Sequence, residues 1–515
     1  MGAANSNAGE NYNAAADLIG RNLDAGRSGK TAFIDSTGHH SYAEVAARAA
    51  RFANSLALLG IEAESRVALV MLDSIDLVAC FLGAIKAGVV PVPLNTRLAS
   101  RDYAYILGDS RAAAVVVSES LVETVLAEAN APDVILVDGA DGRGHALLSD
   151  AIKGASDRHE TALTKADDMC FWLYTSGTTG APKGAVHLHG HLMATAELYA
   201  IEVLGMVEDD IVYSAAKIFF AYGLGNSLTF PMAVGATTVL LPGPPDPASV
   251  SNILKNAKPT LFFGVPTLYA MLLAGDQLPG ADVHSLRLCV SAGEPLPADL
   301  LRRWREIVGV DILDGIGTTE MLHIFVSNRI GEVTPGATGR PVPGYEVRLM
   351  NEDGMICGPG EMGVLEISGP TSALMYWNQR EKTKDTFRGP WTRTGDNFVM
   401  DEGGILTYSG RNDDMLKVGG IYVSPFEVEG ALIKHESVME AAVVGRADQD
   451  ELIKPKAFVV LNAGVAASTA LEQNLKDFVR ADLATFKYPR WIEFMDELPK
   501  TATGKIQRFR LREDQ

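Results

Sequence analysis

The chain of 515 residues is long, acidic and rich in apolar residues, and these properties limit what it can be. With 47% hydrophobic residues it is too large for a single core, so we expect at least two domains. A formal net charge of −19 argues against a nucleic-acid partner, because binding a phosphate backbone needs a basic face. Residues 1–13 are polar and no apolar run reaches membrane-spanning length, so neither a secretion signal nor a membrane segment is expected.

The four cysteines lie far apart in the sequence and mostly within apolar runs; they are Cys80, Cys170, Cys289 and Cys357. Their spacing matches neither a CxxC metal site nor a disulfide framework. We therefore expect free thiols and a reducing, cytoplasmic environment.

Short β-branched runs alternate with helical patterns along the first 300 or so residues. The first unit predicts a strand, a helix and a strand at 67–72, 75–87 and 89–94. Further buried strands are predicted at 113–117, 134–137, 236–241, 260–263 and 286–291. This rhythm is typical of an α/β fold in which helices cover a parallel or mixed sheet.

The pattern changes in the later part of the chain. Between residues 339 and 408, short strands are divided by Gly and Pro turns, which indicates a small β-barrel or meander. The last hundred or so residues predict an α+β unit, with strands at 441–444 and 457–461 and a helix at 470–483. The charged stretch 411–414 lies between these parts, although Asn-Asp-Asp is also ordinary turn chemistry.

Residues 174–184 read Tyr-Thr-Ser-Gly-Thr-Thr-Gly-Ala-Pro-Lys-Gly and form the most informative segment of the chain. Small hydroxyl and glycine residues let backbone amides approach an oxyanion, and Lys183 adds a point charge, so the composition suits a polyphosphate. The segment is not a Walker A loop, because Pro182 precedes the lysine and Gly184 follows it.

This segment resembles the phosphate loop of the adenylate-forming superfamily of acyl-CoA synthetases, adenylation domains and luciferases. The superfamily's other motifs follow in order, as Gly-Ile-Gly-Thr-Thr-Glu at 315–320, Thr-Gly-Asp at 394–396, Gly-Arg-Asn-Asp-Asp at 410–414, Lys-Val-Gly-Gly at 417–420 and Pro-Lys-Thr-Ala-Thr-Gly-Lys at 499–505. The resemblance implies a large N-terminal domain of helix-covered sheets with a small β-barrel-like part, at 1–412. It also implies a small, mobile α+β C-terminal domain at 413–515, with the hinge at Asp413.

The resemblance further implies that a carboxylic acid is joined to the α-phosphate of ATP and then passed to the thiol of CoA. Glu320 and Thr178 would hold Mg²⁺. Lys505 would stabilise the reacting carboxylate and α-phosphate, and Lys417 would lie on the loop that serves thioester formation. The residues that would surround the phosphates and the pantetheine arm are Thr175, Ser176, Gly177, Thr178, Thr179, Gly180, Lys183, Gly419 and Gly420.

Other residues of the resembled motifs are expected to bind the ribose and the adenine. Asp396 would accept hydrogen bonds from both ribose hydroxyls, assisted by Arg411. The residues expected around the adenine are Ala292, Gly293, Glu294 and Asp314. The motif residues Gly315, Ile316, Gly317, Thr318 and Thr319 are also expected to bind the nucleotide.

Segments 215–226 and 321–325 look like those of benzoate-CoA ligases and the similar hydroxybenzoate-CoA ligases. Their mixture of aromatic and small residues suits a flat slot for a ring. The expected walls are Ala221, Tyr222, Gly223, Val265, Ile316, Gly317, His323 and Ile324, although the aromatic side chains of 219–222 fit a core role equally well. A ring hydroxyl would need one polar partner, either His323 or Tyr222, and the sequence leaves that choice open.

The main hypothesis is thus an ATP- and Mg²⁺-dependent aryl-CoA ligase, a monomer or a homodimer, acting on an aromatic acid. The alternative is an adenylation enzyme that loads the pantetheine of a carrier protein. A regulatory nucleotide-binding protein is disfavoured, because Glu320, Asp396, Arg411 and Lys505 are all present.

Two other patterns carry less weight. The GxGxxG string at 358–363 precedes a predicted strand at 364–367 instead of opening a helix, so we interpret it as a turn. His187, His189 and His191 alternate, but no carboxylate or cysteine cluster accompanies them. A structural or phosphate-neighbouring role is the better interpretation for these histidines.

Overall fold

The computed structural model describes residues 11–128, 130–175, 181–275, 278, 280, 284–411, 415–418, 421–449, 452–483, 487–500 and 506–513. The first part of the chain alternates helices and strands, as the apolar periodicity predicts. These elements are α1 (Ala14–Asp24), β1 (Thr31–Asp35), β2 (Gly38–Ser41), α2 (Tyr42–Leu58), β3 (Arg66–Val70), α3 (Ile75–Lys86), β4 (Val90–Pro93), α4 (Ser100–Ser110), β5 (Ala112–Ser118), α5 (Val122–Val125), β6 (Val134–Asp138), β7 (Ala146–Leu147) and α6 (Leu148–Ile152).

The middle part begins with a hairpin and continues the alternation. Its elements are β8 (Met169–Thr175), β9 (Lys183–Leu188), α7 (His189–Thr195), β10 (Ile211–Ser214), α8 (Ala221–Leu224), α9 (Phe230–Val234), β11 (Thr237–Val239), α10 (Pro247–Asn256), β12 (Leu261–Gly264), α11 (Pro266–Ala274), β13 (Leu288–Ala292), α12 (Ala298–Val308), β14 (Ile312–Gly317), β15 (Ile324–Ser327) and β16 (Arg340–Pro341). Wider π-helical turns at Ala196–Ile201 and Gly225–Thr229 extend α7 and join α8 to α9.

Two large sheets organise these elements. Five strands form an all-parallel sheet in the order β4-β3-β5-β6-β7. Nine strands form a mixed sheet in the order β16-β15-β14-β13-β12-β10-β11-β1-β2, in which the six strands from β14 to β1 are parallel. The predicted helix-covered sheets are confirmed, and the strands predicted at 67–72 and 260–263 match β3 and β12 to within two residues at each end.

The largest core cluster lies between the two sheets. It combines residues of α1, α2 and α3 with one face of each sheet, including Phe81 on α3, Leu69 on β3 and Phe263 on β12. The other face of the five-stranded sheet is covered by α4 and by the β8–β9 hairpin, whose Trp172 and Val186 are fully buried there. The hairpin is therefore anchored on a rigid sheet.

The next part of the chain is antiparallel. Its elements are β17 (Glu346–Met350), β18 (Met362–Ser368), β19 (Met375–Tyr376), α13 (Arg380–Thr386), β20 (Phe387–Arg388), β21 (Trp391–Met400) and β22 (Leu406–Arg411). Five of these strands form an antiparallel sheet in the order β17-β18-β21-β20, with β22 also paired to β21. The short β19 instead pairs with β9 of the hairpin. The turn predicted at 358–363 leads into β18, which begins at Met362, two residues earlier than the predicted strand at 364–367.

The C-terminal part has its own apolar core. Its elements are β23 (Leu416–Val418), β24 (Ile421–Val423), α14 (Pro425–Ile433), β25 (Val438–Ala447), β26 (Ile453–Leu461), α15 (Thr469–Asp482), β27 (Trp491–Phe494) and α16 (Arg508–Glu513). Strands β25, β26 and β27 form one sheet, and α14 and α15 pack on it through Leu432 and Val479. The fold is thus mixed α/β with a large N-terminal part and a smaller C-terminal α+β part. Across the described ranges, no helix is both long enough and apolar enough to cross a membrane.

Candidate functional site

The phosphate-loop motif forms the connection of the β8–β9 hairpin. Thr175 ends β8 directly opposite Lys183, which begins β9. Residues Ser176, Gly177, Thr178, Thr179 and Gly180 lie outside the described residues. The hairpin is tied to α4, because the hydroxyl of Tyr174 donates a hydrogen bond of 2.7 Å to Asp109 Oδ2. Thr175 and Lys183 are consequently held at the ends of a fixed support.

Lys183 and Glu320 meet around a residue that the sequence did not single out, Tyr376. The Nζ atom of Lys183 lies 4.5 Å from the centre of the Tyr376 ring, and the Tyr376 hydroxyl donates a hydrogen bond to Glu320 Oε1. Tyr376 is brought here by β19, where it pairs with Ala185 of β9. Burial lowers the pKa of Lys183, and the negative charge of Glu320 opposes that shift. The arrangement holds a lysine and a carboxylate together beside the phosphate-loop hairpin.

Asp396 and Arg411 lie opposite each other on the adjacent strands β21 and β22. Arg411 Nε is 3.7 Å from Asp396 Oδ1. The charge of Arg411 is also close enough to Lys183 to lower its pKa further. The structure therefore brings Lys183, Glu320 and Arg411 into one charged neighbourhood, with Asp396 at its edge.

The expected adenine-binding residues lie at or near the carboxyl ends of two neighbouring parallel strands, β13 and β14. Ala292 ends β13 and pairs with Gly315 of β14, and Gly293 follows with a left-handed φ of 93°. Glu294 Oε2 accepts a hydrogen bond of 3.1 Å from the hydroxyl of Thr267. The carboxyl ends of parallel strands are the usual ligand-binding edge of such a sheet, so these residues are well placed for a nucleotide.

Asp314 lies on β14 beneath this edge and is 6% exposed. Its Oδ1 atom is buried and has no hydrogen-bond partner among the described residues. Burial raises the pKa of this carboxyl well above its usual range. A buried acceptor without a partner is costly, and a ligand donor would satisfy it.

The motif 315–320 turns sharply after β14. Gly315, Ile316 and Gly317 complete the strand, and the Thr318 hydroxyl accepts a hydrogen bond from the backbone N–H of Met321. Thr319 and Glu320 then form a short 3₁₀ turn, and the carbonyl of Glu320 accepts from Ala373 N. This turn has Glu320 at its centre, and His323 follows it two residues after Met321.

The expected acid-binding residues form an aromatic cluster. Ala221, Tyr222 and Gly223 lie on α8, and Val265 is the residue before α11. The ring of Tyr222 lies 5.6 Å from the ring of His323, measured between centroids. The Tyr222 hydroxyl is already engaged, at 3.2 Å from Val290 O and 3.3 Å from Gly264 O. Its ring face therefore remains the part that could contact a substrate.

His323 is 2% exposed and is surrounded by aromatic rings. Its Nε2 atom lies 3.1 Å from Asn226 Oδ1 and 3.3 Å from the carbonyl of Tyr222. Both partners are acceptors, so Nε2 carries the proton and Nδ1 has the lone pair. Nδ1 is buried and has no hydrogen-bond partner in the described part of the chain. Burial lowers the pKa of His323 to about 3, which keeps the ring neutral.

The three alternating histidines have internal partners. His187 Nε2 donates a hydrogen bond of 2.8 Å to the carbonyl of Thr319, and its Nδ1 lies 3.1 Å from Nδ1 of His191. His189 Nδ1 accepts a hydrogen bond of 3.1 Å from the backbone N–H of Ala14, at the start of α1. Across the described ranges, no group of three or more His, Cys, Asp or Glu side chains could hold a metal ion. These contacts fit the structural interpretation, and they do not test the phosphate-neighbouring one.

Several predicted residues of the C-terminal part lie outside the described residues, namely Lys505, Asp413, Gly419 and Gly420. Lys417 is placed on β23 by its backbone alone, opposite Tyr422. The four cysteines are free thiols and all are buried. Burial raises the pKa of each of these thiols.

The hairpin, the Glu320 turn and the Asp396–Arg411 pair lie in one charged neighbourhood on an α/β scaffold, and comparisons with known proteins identify the family of the chain. Residues 21–377 match the family described as AMP-binding enzyme, and residues 427–505 match the AMP-binding enzyme C-terminal domain. The chain belongs to this family of AMP-binding enzymes, which confirms the resemblance drawn from the motifs.

Among its relatives, the chain is 56% identical to a benzoate–CoA ligase of Thauera aromatica, over 98% of the chain and 96% of the relative. It is 48% identical to a 4-hydroxybenzoate–CoA/benzoate–CoA ligase of Rhodopseudomonas palustris, over 98% and 94%. A crystallised benzoate CoA ligase from Burkholderia xenovorans superimposes with a TM-score of 0.92 at 50% identity, covering 97% of this chain and all of that one. An anthranilate CoA ligase, AuaEII, in complex with anthranoyl-AMP gives a TM-score of 0.93 at 43% identity, covering 98% and 97%.

Proposed function

We propose that this protein is an AMP-forming aryl-CoA ligase whose principal substrate is benzoate and which also accepts small hydroxy- or amino-substituted benzoates. The observation that carries the proposal is the aromatic cluster of Tyr222 and His323, which continues directly from the turn bearing Glu320. A flat ring contacting these side chains would have its carboxylate near the nucleotide site. The similarity to benzoate–CoA ligases over the whole chain supports the same substrate class.

In the first half-reaction, a carboxylate oxygen of the acid attacks the α-phosphorus of ATP, and pyrophosphate leaves. We propose that Lys183 faces the phosphates, where its charge offsets the charge that develops on the leaving group. Asp396 would accept hydrogen bonds from the ribose hydroxyls, and the buried Oδ1 of Asp314 would accept one from the exocyclic amino group of adenine. These contacts orient the nucleotide for attack.

The residues present fit the Mg²⁺ ion that such a reaction uses. Mg²⁺ is held in nucleotide sites by one or two carboxylates together with substrate phosphates, and Glu320 offers a carboxylate beside Lys183. When bound, the ion would neutralise phosphate charge and help to orient the phosphates. We assign Glu320 as its carboxylate ligand, with Thr178 of the phosphate loop as a second ligand.

In the second half-reaction, the CoA sulfur attacks the acyl carbon of the aryl-adenylate, AMP leaves, and the thiol proton is lost to solvent. We propose that residues 413–515 move relative to 1–412 between the two steps, about a hinge at Asp413. Lys505 would serve the first conformation, and the segment of Lys417, Gly419 and Gly420 the second. Free, buried cysteines fit a reducing compartment, and we propose a cytoplasmic enzyme.

The test is incubation of the protein with ATP, Mg²⁺ and a panel of acids, with either CoA or a carrier protein bearing a pantetheine arm. The panel contains benzoate, 4-hydroxybenzoate, 2-aminobenzoate and, as a control acid, octanoate. We expect AMP and aryl-CoA with benzoate and none with octanoate. Acylation of the carrier in preference to CoA would favour the alternative function of a carrier-loading adenylation enzyme, and no acid-dependent AMP would refute both.

A pair of variants links the activity to the site. Glu320→Gln removes the carboxylate next to Lys183 and should abolish acid-dependent AMP formation. Glu332→Gln changes an exposed glutamate whose charge acts on Arg329 and not on Lys183, so acid-dependent AMP formation should stay intact. Equal activity of the two variants would contradict the role given to Glu320.

A further inference from the structure

A buried ion pair lies behind the segment that carries the expected acid-binding residues. Asp73 follows β3 of the five-stranded sheet, and Lys217 follows β10 of the nine-stranded sheet. Lys217 Nζ is 3.8 Å from Asp73 Oδ2, and the two side chains are 15% and 3% exposed, respectively. The pair thus joins the two sheets at the point where the 215–223 segment begins.

Asp73 contacts this segment at two points. Besides the ion pair, its Oδ1 atom accepts a hydrogen bond of 3.3 Å from the backbone N–H of Ile218. Lys217 Nζ in turn donates a hydrogen bond to the carbonyl of Leu241, just after β11. The side chain of Lys217 is therefore held between the end of β11, in its own sheet, and the carboxylate of Asp73 from the five-stranded sheet.

The backbone of Lys217 also sets the position of α8. Its carbonyl accepts a hydrogen bond of 3.0 Å from Phe220 N, which closes the turn before Ala221 and Tyr222. A Cβ atom at Gly223 would lie only 2.0 Å from that same carbonyl oxygen, so the turn packs directly against α8. Any displacement of Lys217 would therefore be transmitted to the residues that face the ring of the acid.

A buried ion pair contributes little net stability, because the cost of removing both charges from water offsets their attraction. Burial raises the pKa of the Asp73 carboxyl and the charge of Lys217 opposes that shift, so the two effects act against each other here as well. The main physical effect of such a pair is to restrict geometry. On the basis of the proposed function, we propose that Asp73 and Lys217 are positioning residues that fix the 215–223 segment for recognition of the aromatic acid.

The structure supplies a matched control on the same strand. Asp210 immediately precedes β10, is 3% exposed, and makes a hydrogen-bonded ion pair of 2.7 Å with Arg287. This pair fixes the opposite end of β10 and contacts Thr260 and Val207, but none of the 215–223 segment. Removing one partner of either pair leaves the other charge without its counter-charge, so each variant should lower the melting temperature. Only loss of the Asp73–Lys217 pair should change the kinetics with the aromatic acid.

The variants to compare with the wild type are Asp73→Asn, Lys217→Met and the control Asp210→Asn. Asp73→Asn has nearly the same shape and keeps an acceptor for Ile218 N, so it should fold. The measurements are KM for benzoate at saturating ATP, KM for ATP at saturating benzoate, kcat and melting temperature. We expect kcat/KM for benzoate to fall by roughly ten- to a hundredfold in the first two variants, because a misplacement of about 1 Å can cost about a hundredfold. KM for ATP should stay within about twofold.

The control Asp210→Asn should have a lower melting temperature, but its kcat/KM for benzoate should not fall. Lys217→Arg keeps the charge and should recover part of the loss seen in Lys217→Met. If KM for ATP rises in parallel with KM for benzoate, or if Asp210→Asn shows the same loss, the pair is only a structural element and the inference is wrong. Unchanged kinetics in Asp73→Asn would also refute it.

Activity of the wild type with the acid panel distinguishes failure of this inference from failure of the proposed function. If the wild type activates another acid of the panel instead of benzoate, the same comparison is made with that acid. If it activates none, the proposed function is refuted directly, before any variant is measured.

Discussion

His323 Nε2 lies 3.1 Å from Asn226 Oδ1, and this hydrogen bond decides which nitrogen of the histidine is available to a ligand. With Nε2 protonated, the buried Nδ1 can only accept. A ring hydroxyl or amino group is a donor and would satisfy it, whereas unsubstituted benzoate would not. Because the Tyr222 hydroxyl is engaged by backbone carbonyls, His323 is the stronger of the two candidates for recognising a ring substituent.

We therefore expect His323→Leu to change the substrate preference. Removal of a polar partner should lower kcat/KM for hydroxy- or aminobenzoates by about ten- to a hundredfold more than kcat/KM for benzoate. The measurement is kcat/KM for benzoate, 4-hydroxybenzoate and 2-aminobenzoate in both proteins. A uniform loss for all three acids would mean that His323 only packs in the core.

Gly225→Ala should disturb the same histidine at the edge of the ring that bonds Asn226. A Cβ atom at this position would lie 2.4 Å from Cδ2 of His323, so the ring would have to move and its bond to Asn226 would break. Ordinarily, Gly to Ala within a helix stabilises a protein by about 0.5–1 kcal/mol. We expect the reverse here, namely a lower melting temperature and a lower kcat/KM for the acid. Gly20→Ala in α1, where nothing lies within 4 Å of the added carbon, is the control and should not destabilise.

Tyr376→Phe should lower kcat/KM for ATP and leave KM for the aromatic acid unchanged. The variant removes the hydroxyl that donates to Glu320 but keeps the ring beside Lys183. Hydrogen bonds to charged groups contribute about 1.5–3 kcal/mol, so kcat/KM for ATP should fall by roughly ten- to a hundredfold. ATP–pyrophosphate exchange at several Mg²⁺ concentrations measures this, with KM for benzoate as the internal reference. A rise in KM for benzoate alone would contradict the assignment of Tyr376 to the nucleotide side.

His189 should make stability depend on pH. Burial lowers the pKa of His189 to about 4, from an ordinary value of 6.5, and the neutral Nδ1 accepts from Ala14 N. Between these two values the unfolded chain binds a proton that the folded protein does not, so the free energy of unfolding falls as the pH is lowered from 6.5 to 4. The loss from this one group is roughly 3 kcal/mol.

His189→Asn keeps an acceptor but does not titrate in this range. Its melting temperature should therefore fall less between pH 7.5 and pH 5 than that of the wild type. Other groups titrate equally in both proteins, so the difference between the two curves isolates His189. Parallel curves would show that His189 does not contribute.

Lys505→Ala tests the proposal that residues 413–515 adopt different positions in the two half-reactions. Removing one charge partner of the transition state typically costs about 10²–10³ in rate, and this loss should appear in adenylation. Thioester formation from pre-made aryl-AMP should be nearly unaffected, because we propose that the lysine has left the site by then. The two half-reactions are measured separately. An equal loss in both would contradict two alternating conformations.

Many strands of the two large sheets could be predicted because they are buried and parallel, and such strands appear as continuous apolar runs, for example β3 and β12. The family could be recognised, and its nucleotide-binding residues could be proposed, because the motifs are contiguous in sequence. The contacts of Tyr376 with Glu320 and of Asp73 with Lys217 could not be predicted. They join residues 56 and about 145 positions apart, and only the packing of β19 on β9 and of one sheet against the other brings them together.

The burial of all four thiols has a practical consequence for measuring this enzyme. Thiol reagents react with exposed thiolates, and neither exposure nor a low pKa is found at Cys80, Cys170, Cys289 or Cys357. In the native protein, the sulfur of CoA should be the one fast-reacting thiol in the mixture. Because a chromogenic disulfide consumes CoA as it reacts, the remaining CoA is measured in samples withdrawn at intervals, and the native enzyme in those samples should contribute almost no background colour.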